Sequence, residues 1–381
     1  MTGLVRLAFA AFFFFYFAFI GLMSPYTSLY LASRGFGAIE IATLMSMFQI
    51  TRIMGPFAWG WLADMRRDRL GVMRLTSVAA CLIFAAIFYL ENYLALLIWL
   101  FLLNTFISSL MPLGEAATVH ALHRDNGFDQ RYGRLRLWGS LGFITMVLSA
   151  GAWFEYFGIE SFPWFGLAAL IIMTLLTKAL REPPIEVSEQ VVVKFLHVLK
   201  NRYLQWFLSA NFWMIFAHSS FYVFYSLYLD QMGYSKGEIG IFWMLGVLAE
   251  VIFFYYQSHF FGRFSTKNIL LAAYLVAILR FVLMAYWPNL IALILAQLMH
   301  AATFGANHSA SIKMLQTWFS GPLQARGQAL YTTVSYGIGG TLGGICAGWV
   351  WEHWAPEHVF GVAALSSLIG FLCMRQVKEN K

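Results

Sequence analysis

The sequence predicts an all-α membrane protein, with twelve transmembrane helices arranged as two pseudo-symmetric six-helix bundles. Three observations predict this fold class. The 381 residues are 60% hydrophobic and 11% charged, apolar runs long enough to cross a bilayer recur along the chain, and part of the first half is repeated in the second. Soluble domains are about 45–50% apolar and about 25% charged. Lipid, unlike water, can solvate so many apolar side chains.

The individual spans follow from length. A transmembrane helix needs about 20 mainly apolar residues to cross the hydrocarbon core. On that basis the spans are predicted at 5–32, 38–63, 71–90, 94–121, 134–156, 163–181, 203–231, 237–260, 268–287, 290–316, 327–352 and 358–375. The first is longer than the apolar core of a signal peptide, so we interpret it as an uncleaved helix.

Lysine and arginine are distributed unevenly between the two sides of the membrane. Of the 25, 21 lie on the side of the N-terminus, and the opposite loops contain only Arg34 and Lys236. Because loops rich in these residues stay in the cytoplasm, both termini are predicted to be cytoplasmic. The net charge of +7 arises from these short loops, so nucleic acid is excluded as a partner.

The longest polar connection lies at the midpoint of the chain. It predicts an N-terminal bundle at 1–181, a cytoplasmic linker at 182–202 and a C-terminal bundle at 203–381. The sequence SLYL at 28–31 recurs 198 residues later at 226–229. Two like-oriented six-helix repeats are a recurring layout among transporters.

The loop after the second predicted span carries a recognisable motif. The sequence GxLAD at 60–64 is followed by Arg66, Arg67 and Arg69. This resembles the loop between helices two and three of the major facilitator superfamily. The resemblance implies that Asp64 and Arg69 belong to a cytoplasmic gate. Arg67 departs from the motif, because the superfamily usually has glycine at this position.

Four further segments narrow the resemblance to one branch of that superfamily. They are MPLGEA at 111–116, YGRLRLWGS at 132–140, LGVLAE at 245–250 and QLMHAATF at 297–304. This set resembles the phenylpropionate permease family, which is related to lactose permease and to the nucleoside:proton symporters. It extends over essentially the whole chain. The resemblance implies the major facilitator fold, a location in a bacterial inner membrane, and proton-coupled import of a small aromatic carboxylate, similar to phenylpropionate.

Ionisable residues within the spans are the candidate site residues in the first half. A charge at the centre of a spanning helix costs about 2.5–3.5 kcal/mol on insertion scales and is functional by default. Arg52 and Glu115 lie within spans, and Arg136 lies near the start of the fifth. The spacing allows Glu115 to reach either arginine. We predict a substrate and proton site here, with a helix-locking salt bridge as the alternative.

The second half carries a carboxylate, a guanidinium and an imidazole. The helical rise of 1.5 Å per residue places Glu250, Arg280 and His300 near one level. Lactose permease has a similar trio, although here Thr303 replaces its proton-carrying carboxylate and Gln297 replaces a lysine. This departure makes Glu115 the first choice of proton carrier and Glu250 the second. The arginines at 52, 136 and 280 are candidate carboxylate partners, since arginine binds carboxylates bidentately.

The predicted function is secondary active transport by alternating access, with protons and a small molecule as partners and no cofactor or metal. A proton-coupled sugar or nucleoside importer is the alternative, and it should bind its neutral substrate through Glu250, Gln297 and His300. A membrane-embedded receptor or enzyme is a third possibility, but the sequence contains neither a catalytic motif nor a large soluble domain. We expect the protein to be a monomer. We also expect that it is not an enzyme. The glycine-rich run at 337–344 lies in an apolar span and is interpreted as a helix-packing surface.

Overall fold

The computed structural model describes residues 3–122, 128–182, 198–319 and 323–378, and these form helices joined by short turns, without a β-strand. Most of the predicted linker at 182–202 lies outside this part of the chain. The α-helices are α1 (Gly3–Ser33), α2 (Ala38–Arg66), α3 (Arg69–Ala85), α4 (Tyr93–Ile107), α5 (Leu110–Leu122), α6 (Phe128–Phe157), α7 (Phe162–Ala179), α8 (Arg202–Gln231), α9 (Lys236–Arg263), α10 (Thr266–Tyr286), α11 (Leu290–Leu298), α12 (Asn307–Leu315), α13 (Gln324–Tyr331), α14 (Gly340–His353) and α15 (Pro356–Gln376).

Within these ranges the helices combine into twelve membrane-length segments, as the sequence predicted. Helices α4 and α5 follow one another as one segment. A π-helical stretch, Ala301–Ala306, joins α11 to α12, and a second, Thr332–Gly339, joins α13 to α14. Nine of the segments described are long and apolar enough to cross a membrane by length and composition. The chain is therefore a multi-pass membrane protein with the expected all-α fold.

The chain divides into two compact units. The first comprises Met1–Val187 together with Leu229–Met244, and the second comprises Ser188–Tyr228 together with Leu245–Lys381. In the first unit α1 packs along α6 and α7, and α3 packs on α4 and α7. In the second unit α10 packs on α15 and on the segment formed by α11, the π-helix and α12. Each unit thus surrounds a long helix with its neighbours.

The repeat seen in the sequence has the same local geometry in both copies. Gly35 and Gly233 have φ angles of 86° and 88°, in the left-handed region that glycine adopts without steric cost. Glu40 and Glu238 each accept a hydrogen bond from the backbone N–H three residues earlier, at 3.0 and 2.8 Å. Both contacts cap a helix in the same way. The sequence match therefore corresponds to a real structural repeat.

Two glycines allow a close backbone contact within the first unit. The Tyr26 hydroxyl donates to the carbonyl oxygens of Val147, at 2.7 Å, and Lys236, at 3.3 Å. A Cβ atom at Gly240 would clash with the Val147 carbonyl, and one at Gly151 would lie 2.6 Å from the Lys236 carbonyl oxygen. Small residues let helices in a membrane approach this closely. The start of α9 is thereby held against α1 and α6.

We expect Gly240→Ala to destabilise the protein by about 1–3 kcal/mol, because a backbone carbonyl cannot move aside as a flexible side chain can. Thermal unfolding of the purified protein in detergent measures the effect. The matched control is Gly262→Ala on the same helix, where an added Cβ meets no atom within 4 Å. The control should unfold at or slightly above the wild-type temperature, since alanine is the better helix former. Equal unfolding temperatures for the two variants would contradict the close contact.

Candidate functional site

The side chain of Arg280 on α10 is completely buried inside the second unit. Its guanidinium carbon lies 4.4 Å from the ring centroid of Phe221 and 5.4 Å from that of Phe281. A cation over an aromatic face is attracted by the ring quadrupole, more strongly where water is excluded. These two aromatic rings do not satisfy the five N–H donors of the guanidinium. The role of Arg280 therefore depends on the polar groups around it.

One guanidinium nitrogen, Nη1, faces three uncharged acceptors. It lies 2.9 Å from His300 Nδ1, 3.1 Å from Thr303 Oγ1 and 3.4 Å from His218 Nε2. A guanidinium can only donate, so the ring nitrogens that face it must accept. The other ring nitrogen of His218 is free to donate to the Met214 carbonyl, at 2.8 Å. The contacts therefore fix one neutral tautomer for each imidazole.

Glu250 on α9 joins this cluster through the His300 ring. His300 Nε2 lies 2.8 Å from Glu250 Oε1, and the tautomer fixed by Arg280 makes Nε2 the donor. The π-helical stretch Ala301–Ala306 begins directly after His300, and such irregular turns are frequent at functional sites. The carboxylate, imidazole and guanidinium that the sequence places at one depth are thus in contact in the order Glu250, His300, Arg280.

Several buried donors in this cluster have no hydrogen-bond partner among the residues described. They are Nε and Nη2 of Arg280 and Nε2 of Gln297. Each unsatisfied buried donor costs about 1–3 kcal/mol. The Nε–H and the outer Nη2–H of a guanidinium point to the same side and form a fork that matches a carboxylate bidentately. An acceptor-rich group, above all a carboxylate, is the ligand that this set of donors fits.

Gln297 approaches the cluster because Gly246 leaves room for it. A Cβ atom at Gly246 would lie 2.9 Å from Gln297 Oε1 and 3.5 Å from His300 Cδ2. Gln297 precedes His300 by three residues, so the two share one face of their helix. The four second-half residues predicted from the sequence are therefore brought together by α9, α10 and α11 with the turn that follows it.

The first-half candidates form a second, more exposed cluster. Glu115 Oε1 lies 3.6 Å from Arg136 Nε, and their side chains are 38% and 37% exposed. The Arg136 guanidinium carbon lies 4.2 Å from the ring centroid of Phe17. Tyr16 is within electrostatic range of Glu115, Arg136 and Arg52, and Arg52 itself is exposed on α2. Glu115 was expected to reach Arg52 or Arg136, and it is in ion-pair contact with Arg136.

The residues predicted for the gate lie where α2 ends and α3 begins. Asp64 is exposed in the last turn of α2. Arg67 ends that helix with φ of 53°, the left-handed conformation that glycine most often adopts at the C-terminal end of a helix. Arg69 Nη1 donates to Glu182 Oε1 at 2.7 Å, and His120 Nδ1 lies 2.9 Å from the same oxygen. Nothing in the sequence indicated that Glu182 would hold Arg69.

Comparison of the sequence with known proteins identifies a matching family and two relatives. The sequence profile of the MFS_1 like family matches residues 6–362. The probable 3-phenylpropionic acid transporter of Escherichia coli (strain K12) is 28% identical over 364 residues, which cover 93% of each chain. The maltose permease of Geobacillus stearothermophilus is 25% identical over 377 residues, covering 97% of this chain and 93% of the permease.

Among solved structures, the crystal structure of the nucleoside transporter NupG superimposes with a TM-score of 0.86 at 18% sequence identity. The match covers 99% of this chain and 100% of the other. At this identity the superposition establishes the fold alone.

Proposed function

Because this chain belongs to the MFS_1 like family and is a membrane transporter, not an enzyme, we propose that it imports a small aromatic carboxylate together with protons. The proposed mechanism is alternating access, in which two six-helix halves, 1–181 and 203–381, rock about a central site. Each half supplies candidate residues to the path of the substrate and the proton.

The observation that carries the carboxylate assignment is the unpaired fork of Arg280. Its Nε and Nη2 donors are buried without a partner in the described chain, while Nη1 is held by three acceptors. A carboxylate would accept from both donors at once, and hydrogen bonds to charged groups contribute about 1.5–3 kcal/mol each. The Phe221 ring beside the guanidinium supports an aromatic substrate. So does the 3-phenylpropionic acid named for the Escherichia coli relative.

The charge balance of the same cluster supports coupling to protons. Arg280 carries one positive charge, Glu250 one negative charge, and the two imidazoles are neutral by their hydrogen bonds. A bound substrate carboxylate would leave an excess negative charge in a site of low dielectric, where it is costly. Taking up one proton on the Glu250–His300 pair restores neutrality. We therefore propose that substrate and proton occupy the site together.

The first-half cluster and the gate complete the proposal. Arg52, Glu115 and Arg136 line a second part of the substrate and proton path, in which the Glu115–Arg136 pair forms and breaks during the cycle. Asp64 and Arg69 belong to the cytoplasmic gate. In the conformation of this structure, the salt bridge to Glu182 holds Arg69 in place. The protein is proposed to act as a monomer.

A neutral sugar or nucleoside is the second candidate substrate. It is favoured by the buried amide of the cluster, since Gln297 Nε2 lacks a partner among the residues described, and by the name of one relative, the maltose permease. In that case Glu250, Gln297 and His300 would bind hydroxyl groups. Arg280 would serve to orient His300.

An uptake screen in proteoliposomes separates these functions. Radiolabelled 3-phenylpropionate, uridine and maltose are offered with and without an imposed pH gradient, acidic outside. We expect accumulation of 3-phenylpropionate only with the gradient, and no accumulation in protein-free liposomes. Uridine or maltose accumulation without 3-phenylpropionate uptake would favour the second candidate. Accumulation that ignores the gradient would contradict proton coupling.

We also propose that both termini face the cytoplasm of a bacterial cell, from the lysine and arginine distribution. Reporter fusions after Arg34 and after Lys267 test this orientation. The two positions should report opposite sides of the membrane, with Arg34 outside. Signals from the same side would contradict the proposed topology.

A further inference from the structure

Thr303 places a hydroxyl group against the Arg280 guanidinium. It lies in the π-helical stretch Ala301–Ala306 and is 1% exposed. Its Oγ1 lies 3.1 Å from Arg280 Nη1 and 3.1 Å from His218 Nε2. One hydroxyl can accept from the guanidinium and donate to the imidazole at the same time. A charged side chain at position 303 would therefore lie directly beside Arg280.

The side chain at position 303 determines whether the positive charge of Arg280 is neutralised before a ligand binds. All three groups at Nη1 are uncharged, and Glu250 reaches the guanidinium through the His300 ring. Hydroxyl and imidazole acceptors orient the guanidinium without neutralising it. A carboxylate at 303 would instead place a fixed negative charge beside the fork formed by Nε and Nη2. Two like charges a few ångströms apart repel strongly where water is excluded.

We propose that Thr303 determines the charge selectivity of the site. A neutral residue at 303 leaves the Arg280 charge uncompensated at short range, so the site selects monocarboxylates over neutral molecules of the same shape. This inference rests on the proposed carboxylate transport and adds to it the residue that sets the preference. Thr303 acts through Arg280 and is therefore a positioning and selectivity residue.

The test compares Thr303→Asp with Thr303→Asn, which has nearly the same shape without the charge. Binding of 3-phenylpropionate and of its neutral amide, 3-phenylpropionamide, is measured on the purified full-length protein at pH 7.5. Wild type and Thr303→Asn should prefer the acid. Thr303→Asp should bind the acid about 100-fold more weakly and should then prefer the amide. The ratio of the two affinities is the readout, because a loss of packing would weaken both ligands alike.

A second pair of variants reaches the same nitrogen from another helix. His218→Asp places a carboxylate near Arg280 Nη1 from α8, and His218→Asn is its uncharged control. The same inversion of preference is expected, so the proposal remains testable if Thr303→Asp fails to fold. Equal acid-to-amide ratios in the aspartate and asparagine variants would overturn the role of residue 303. Wild-type protein that binds neither ligand would overturn the proposed carboxylate function itself.

Discussion

Replacing Arg280 by lysine should reduce uptake of the substrate carboxylate at least about 10-fold. Lysine preserves the charge but replaces the planar fork with a single point donor, so two parallel hydrogen bonds to a carboxylate cannot form. The charge-assisted hydrogen bond that is lost contributes about 1.5–3 kcal/mol. That free energy corresponds to about 10-fold to 150-fold in affinity.

The experiment measures initial uptake rates and equilibrium binding of 3-phenylpropionate for Arg280→Lys in proteoliposomes. Arg136→Lys and Arg52→Lys are the matched comparisons, because they make the same chemical change at the two arginines of the first-half cluster. Thermal unfolding shows whether each variant folds, since Arg280 is fully buried. If Arg136→Lys loses binding and Arg280→Lys keeps it, the carboxylate is bound in the first half of the chain.

The sequence was sufficient to predict the helical segments, because each depends on a local property, the length of an apolar run. It also identified the repeat, since Gly35 and Gly233 perform the same steric task in both copies. The backbone conformation at the end of α2 could not be predicted in this way. Arg67 adopts the left-handed conformation although it is not glycine, which costs roughly 1–2 kcal/mol and cannot be read from the residue alone.

The site was predictable only in part, because its geometry depends on the register between helices that are distant in sequence. Depth along the membrane placed Glu250, Arg280 and His300 at one level, and the structure brings them into contact. Depth does not give rotation about a helix axis. It could not show that His218 on α8 faces Arg280, nor that Arg69 pairs with Glu182 across 113 residues.

The choice of proton carrier depends on the rotation of each helix about its axis, because this rotation determines how buried each carboxylate is. The sequence favoured Glu115, because Thr303 stands where lactose permease has its proton-carrying carboxylate and Gln297 stands where it has a lysine. The side chain of Glu115 is 38% exposed beside Arg136, whereas that of Glu250 is 16% exposed and lies 2.8 Å from a neutral imidazole. A neutral imidazole can exchange a proton with a carboxylate, whereas an arginine stays charged. The geometry therefore directs the proton proposal toward the Glu250–His300 pair.

Glu250→Gln should accordingly abolish accumulation of substrate against its gradient while leaving exchange across the membrane. Glutamine keeps the size of the side chain and can accept from His300 Nε2 through its carbonyl oxygen, but it cannot take up a proton. Without the negative charge of Glu250, the positive charge of Arg280 balances that of the bound carboxylate, and no proton has to be taken up. Binding of 3-phenylpropionate should become independent of external pH.

Two assays on the same proteoliposomes separate coupling from binding. Counterflow of labelled against unlabelled 3-phenylpropionate needs no proton movement and should stay within about threefold of wild type. Uptake driven by an imposed pH gradient should fall to the level of protein-free liposomes. Glu115→Gln is the matched variant, and it should still accumulate substrate, because it leaves the Glu250–His300 pair intact. If Glu115→Gln loses accumulation and Glu250→Gln keeps it, the proton is carried in the first half. If both variants still accumulate substrate, neither carboxylate is required for the driving force.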